Sequence, residues 1–99
     1  MELEFEVVHS SGIVLVRASG EIDLASAPSL ARILAPFDDR PVVLDVARVS
    51  YLDAAGIAVA VDHDRRLRAR GTRMVLRDPS PLVRRVLEIT GDDDLVERR

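Results

Sequence analysis

Val42, Val43, Leu44 and Val46 form a nearly continuous apolar run, and the pattern changes from strand to helix soon after it. That switch constrains the fold more than any other feature. A run of this kind suits a central strand covered on both sides. From about Ala54 to Arg70 the chain reads as a helix, with Ile57, Ala60, Val61 and Leu67 as its buried stripe. Asp53 is the expected N-cap, Gly71 sits where a helix C-terminus wants a glycine, and the arginines near the end complement the helix dipole.

The flanking segments extend the same alternation of elements. Leu3, Phe5 and Val7 interleave with Glu2, Glu4 and Glu6, the period of a strand with one wet face. Ser10, Ser11 and Gly12 supply turn chemistry, and Ile13 to Ala18 reads as a second strand in an antiparallel hairpin. Gly20 is expected to close that strand. A helix follows, with Leu30, Ile33 and Leu34 at helical spacing, a stop before Pro36, and Asp23 and Ser26 as alternative N-caps ahead of Pro28. The polar turn from Asp38 to Pro41 leads into the apolar run. Met74, Val75 and Leu76 predict another strand. Ser80 and Pro81 open a last helix, with Leu82, Val83, Val86, Leu87 and Ile89 inward and Gly91 at its end. Leu95 and Val96 predict a short edge strand. The expectation is an α/β domain with a mixed sheet of four to five strands and about three helices, in the order ββαβαβα(β). With 99 residues, it is read as one domain over 1–99.

Composition removes several classes of function. The net charge is −3 and all fourteen basic residues are arginine, so nothing attracts the chain generally to phosphate backbones or anionic lipid, and lysine Schiff-base chemistry is excluded. No cysteine means no disulfide, thiol catalysis or Cys-based metal site, in keeping with the cytoplasm. The longest apolar stretch, Ala54 to Val61, is far short of the roughly 20 residues that span a bilayer. The arginines between Arg65 and Arg77 read as a solvated face paired to nearby acids. With only three aromatics beside them, they do not describe a nucleic-acid surface. Asp62, His63 and Asp64 are adjacent and so point in different directions on a helix, which favours a solvated face over a metal site. Asp92 to Asp94 lacks the alternation of a calcium loop and reads as a surface turn. No nucleophile elbow, dinucleotide fingerprint or P-loop is present, so no enzyme, cofactor or metal is expected.

Three segments carry a resemblance: Gly20-Glu21-Ile22-Asp23-Leu24 with Ala27, Pro28 and Leu30; the strand from Val42 leading into Tyr51-Leu52-Asp53-Ala54-Ala55-Gly56-Ile57; and Pro79-Ser80-Pro81 with Val83 to Leu87 and Gly91. In order and spacing, over nearly the whole chain, they resemble the STAS family, and within it the anti-sigma factor antagonists. Such antagonists carry a serine directly after the aspartate that precedes the long helix. Their partner, an anti-sigma factor of the histidine-kinase-like ATPase type, phosphorylates that serine and then lets go.

The resemblance implies a protein-binding regulator, and it implies a difference. A helix N-terminus accommodates a phosphate, and phosphorylation adds about −1.5 to −2 charge at neutral pH. Here Ala54 and Ala55 stand at the two hydroxyl positions, while Asp53 and Gly56 keep the frame. The expected partner-binding residues are Glu21, Asp23 and Ser26 from one loop and Asp53, Ala54, Ala55, Gly56 and Ile57 from the helix start. Ala54 marks the phosphoacceptor position without its hydroxyl. Two other readings compete. An accessory STAS subunit of an ABC-type phospholipid transport complex is the first. An anion-sensing domain ranks behind it, because Asp53 repels negative charge and the alanines offer no hydroxyl donors.

Overall fold

The structure, a computed structural model, describes residues 2–98. Strands β1 (Glu4–Ser10) and β2 (Ile13–Ile22) form an antiparallel hairpin. Its two-residue turn, Ser11 and Gly12, has φ of 51° and 80°, the positive values that match the twist of the strands it joins. Strands β3 (Val42–Leu52) and β4 (Met74–Arg77) then add in parallel, giving the sheet order β1-β2-β3-β4. Helices α1 (Ala27–Leu34), α2 (Ala54–Arg68) and α3 (Pro81–Thr90) follow β2, β3 and β4 in turn. This is the mixed four-stranded sheet with three helices that the pattern predicts.

Each parallel crossover steps to the next strand in the same direction, so right-handed connections put α1 and α2 on one face of the sheet. Val14, Val16, Ala18 and Ile22 of β2, Val42, Leu44 and Val46 of β3, and Met74 and Leu76 of β4 point to that face and are buried. They join Leu30 and Leu34 of α1, Ile57, Ala60 and Leu67 of α2, and Val83 and Leu87 of α3 in one apolar cluster. Burying each large aliphatic side chain contributes about 1.5–3 kcal/mol, so this face holds the fold together.

The second face corrects an expectation. β3 is not covered on both sides: Val43 and Asp45 alternate with the buried residues, stay half-buried, and lie outside the cluster. The run reads as doubly covered because Val43 is apolar, yet it faces away from all the cluster residues.

Other elements depart from the sequence reading in identifiable ways. β2 does not close at Gly20 but continues to Ile22, with irregular register to β3 on either side of Ser19 and Gly20. Gly20 has φ of +117°, and a Cβ there would run into the Glu2 carbonyl oxygen, so glycine is required for the strand to pass. The expected edge strand at Leu95 and Val96 reduces to a 3-10 turn over Asp93–Leu95 and a single parallel bridge from Val96 to Leu76. In α3, Val83 and Leu87 are buried, whereas Leu82 and Ile89 are 74% and 72% exposed. Val61 of α2 is half-buried rather than fully inward.

The largest correction concerns the acidic triplet in α2. Asp62 is exposed and pairs with Arg66, but His63 and Asp64 are only 4% and 6% exposed. Asp64 Oδ1 accepts the Met74 backbone N–H at 2.9 Å, and Oδ2 accepts Arg68 Nε–H at 2.8 Å. Arg68 also donates to Asp94 at 2.7 Å, which ties the Asp93–Leu95 turn to α2. His63 Nε2 lies 2.9 Å from the Phe37 carbonyl oxygen, an atom that only accepts, so Nε2 carries the proton. Only Asp62 lies on a solvated face; His63 and Asp64 are turned inward. Asp64 bolts α2 to β4, and His63 bolts it to the segment after α1.

Candidate partner-docking surface

The two segments singled out by sequence meet at the C-terminal ends of β2 and β3. Glu21 pairs with Tyr51 and Ile22 with Leu52 in the parallel register, so the loop after β2 and the start of α2 leave the sheet side by side. The Asp53 N–H donates to the Ile22 carbonyl at 3.1 Å, and the Ser50 hydroxyl donates to the Gly20 carbonyl at 3.3 Å. At Gly56 an added Cβ would run into Leu52 Cδ1 and lie 2.7 Å from Ile22 Cγ2. Glycine therefore lets the first turn of α2 sit directly on the ends of both strands.

Asp53 caps α2 as expected. Its Oδ1 accepts the Ala55 N–H at 2.9 Å and the Gly56 N–H at 3.2 Å, satisfying two of the donors a helix start leaves open. Ala54 is exposed beside it and Ala55 is half-buried. Gly56 and Ile57 are buried, so they position the helix start and offer no side chain to a partner.

The loop before α1 is held by its own polar groups. Ser26 takes the N-cap position, but its hydroxyl makes no capping bond. That hydroxyl lies 3.0 Å from both the Glu21 carbonyl and Asp23 Oδ1, and it accepts the Asp23 N–H at 2.9 Å. Asp23 Oδ1 in turn accepts the Ser26 N–H at 2.9 Å. The Ser26 N–H first, and the Ser26 hydroxyl second, hold the Asp23 carboxyl below the ordinary carboxylate range. Asp23 and Ser26 thus clasp each other, and neither ends the helix as a simple cap.

Sequence reasoning missed the apolar part of this end. Leu24 is 79% exposed at the tip of the loop. Tyr51 is 53% exposed and, with Leu82, borders a groove of about 80 Å³ whose other walls include Val46, Val49, Ser50 and Ser80. The sequence pattern places Leu82 in the core stripe of α3, whereas the structure leaves it exposed. The signal lay in its spacing: Val83 and Leu87 are four residues apart and form one stripe, while Leu82 and Ile89 fall on another. This end therefore carries Leu24 on its loop and Tyr51 with Leu82 at the groove, together with the acidic side chains of Glu21, Asp23 and Asp53.

A profile of the STAS domain matches residues 4–98. The chain belongs to the STAS family. Among curated proteins, the anti-sigma-B factor antagonist of Bacillus subtilis is 29% identical over 98% of this chain and 91% of its own length. The anti-sigma-B factor antagonist of Listeria monocytogenes is 34% identical over 80% of this chain and 72% of its own. This STAS protein is thus of the anti-sigma factor antagonist type. Among solved structures it resembles the antagonist SpoIIAA in its unphosphorylated form, with a TM-score of 0.79, 23% identity, and 95% and 86% of the two chains covered. The phosphorylated form of SpoIIAA from Bacillus gives 0.77 at 22% identity, covering 95% and 89%. At those identities the likeness bears on the fold.

Among the described residues no group of three or more His, Cys, Asp or Glu could hold a metal ion, and no helix is long and apolar enough to cross a membrane. The arginines between Arg65 and Arg77 largely meet acids: Arg66 meets Asp62, Arg68 meets Asp64 and Asp94, Arg70 meets Asp38, and Arg77 meets Glu97.

Proposed function

We propose that this STAS protein is a cytoplasmic, non-enzymatic regulator that docks on an anti-sigma factor of the histidine-kinase-like ATPase type and is not phosphorylated at the docking helix. The observation that carries the reading is the exposed methyl of Ala54 on a capped helix start, side by side with the Asp23–Ser26 loop. SpoIIAA, which shares the fold, has been solved with and without phosphate. In this chain no residue from Asp53 to Ile57 carries a hydroxyl.

The partner surface is expected to be basic and apolar, matching the exposed Leu24 and Tyr51 beside Glu21, Asp23 and Asp53. Binding then depends on shape and on how much of each protein is present. Phosphate does not terminate it.

The test is incubation with such an ATPase and ATP. The natural chain is expected to bind and to remain unlabelled, while Ala54→Ser takes up one phosphate and dissociates. Phosphate on any residue from Asp53 to Ile57 of the natural chain would overturn the proposal. So would co-purification with the ATPase of an ABC transporter in place of a kinase-like one.

A further inference from the structure

The face of the sheet opposite the helices carries two ordered rows. Val8, Leu15, Val43 and Val75 lie opposite one another in successive register pairs, one from each strand, and none belongs to the core cluster. Val8 is 37% exposed and the other three are half-buried with no helix residue of the cluster on their side. Side chains two residues apart share a face. The adjoining row on this face is therefore Glu6, Arg17, Asp45 and Arg77, again in direct register across all four strands.

The order of charges in that row is negative, positive, negative, positive. We infer that this face binds a second copy of the same chain, sheet against sheet, about a two-fold axis parallel to the strands. Such an axis lays each row on itself in reverse order, so β1 faces β4 of the other copy and β2 faces its β3. Glu6 then meets Arg77, and Arg17 meets Asp45, with every facing pair opposite in sign. In the same operation Val8 covers Val75 and Leu15 covers Val43. A row of uniform sign, or with its two acids on β1 and β4 or on β2 and β3, fails this operation.

The charges are also prepared for burial. Arg17 lies 3.1 Å from Glu6 and 3.9 Å from Asp45 within one chain, and Arg77 meets Glu97 through two donors at 2.8 and 2.9 Å. Each arginine already has an acidic partner within its own chain, so the facing copy adds another and none is desolvated alone.

Strands about 4.8 Å apart make the face roughly 19 Å wide, and two rows with their margins cover roughly 300–400 Å² on each copy. A standard stable interface buries about 800 Å² on each side. The interface falls well below that size, so the dimer belongs to the weak, transient class. It leaves the Asp23–Ser26 loop and the start of α2 free, and it does not depend on the proposed partner.

Sedimentation velocity on the purified chain tests this, together with amide spectra recorded on dilution. The average mass is expected to rise from one chain towards two as concentration approaches about 1 mM. The concentration-dependent shifts should centre on Val8, Leu15, Val43 and Val75. Val8→Glu puts an unpaired charge into the apolar row and should weaken association about tenfold or more, with the far-ultraviolet spectrum unchanged. Leu82→Glu, on α3 and outside both rows, should leave it as it is. A single-chain mass throughout, shifts confined to the loops or α3, or undiminished association of Val8→Glu would each overturn the inference. The spectra of the unaltered chain decide the matter even if a variant fails to fold.

Discussion

At its N-terminus α2 presents the Ala54 methyl to solvent and rests Gly56 against Leu52 and Ile22, whereas its second half buries His63 and Asp64 among polar partners. The two ends use opposite means to stay in place. The first relies on small residues and close approach, with one carboxylate, Asp53, closing the open N–H groups. The second relies on directed bonds to groups on other elements. His63 and Asp64 thus mark internal attachment, while the helix start that faces outward is plain. A partner reading the N-terminal end meets shape and the rim of acids, and the attachment at the other end keeps that shape fixed.

The contrast breaks most easily at Asp64. Asp64→Ala removes the acceptor of the buried Met74 N–H and one partner of Arg68, and we expect a loss of about 3 kcal/mol in urea unfolding. Asp64→Asn keeps an oxygen for Met74 and should lose about half as much. A cost below about 1 kcal/mol for the alanine variant would mean that this end is not held by its polar bonds.

At the other end the equivalent probe is Gly56→Ala. Alanine favours a helix over glycine by about 1 kcal/mol, but the added methyl must displace Leu52 and the stiff, β-branched Ile22. Overpacking of that kind costs about 1–3 kcal/mol, so the net expectation is a loss of about 1 kcal/mol by the same measurement. A net gain would show that the close approach is loose and that the first turn of α2 can move.

What the sequence disclosed follows the same division. Period and capping made the elements legible: Asp53, Ser80 and Gly91 fall where the caps were expected, and the order of strands and helices follows. The Asp53–Gly56 turn was legible because local residues build it. The clasp of Asp23 and Ser26 was only half legible, since either residue could cap α1 and the structure uses both to hold the loop. The burial of His63 and Asp64 was not legible, although the i,i+4 pair of Asp64 with Arg68 was. Their partners, Phe37 and Met74, are 26 and 10 residues away, and only tertiary folding brings them into reach. Val43 misled for a related reason: an apolar side chain on a strand is consistent with a covered face and with an open one.

Acid should separate the loop from the helix start in a smaller way. The Asp23 carboxyl titrates below its unfolded value because the Ser26 N–H and hydroxyl favour the charged form. The unfolded chain therefore binds the proton more readily, and the contribution of the clasp is complete above about pH 3.9, the unfolded value. It is lost as pH falls from there through the lower native value. The amide resonance of Ser26 should shift across that window, and Asp23→Asn should remove the shift. Asp94, lowered by its bond to Arg68, should titrate with the same sign at the far end of α2.

The smallest expected effect is the most useful for separating function from fold. Ala54→Ser adds one hydroxyl at an exposed position in the first turn of α2, where it displaces nothing in the core. Serine is a slightly poorer helix former than alanine, but near a helix start its hydroxyl finds water or an open N–H. We expect unfolding stability to change by no more than about 0.5 kcal/mol. With stability unchanged, any phosphate uptake or release from a partner by Ala54→Ser reports the hydroxyl alone. A loss well beyond that amount would place the Ala54 methyl in a packing role, and the plain N-terminal end would then belong to the fold as much as to the docking surface.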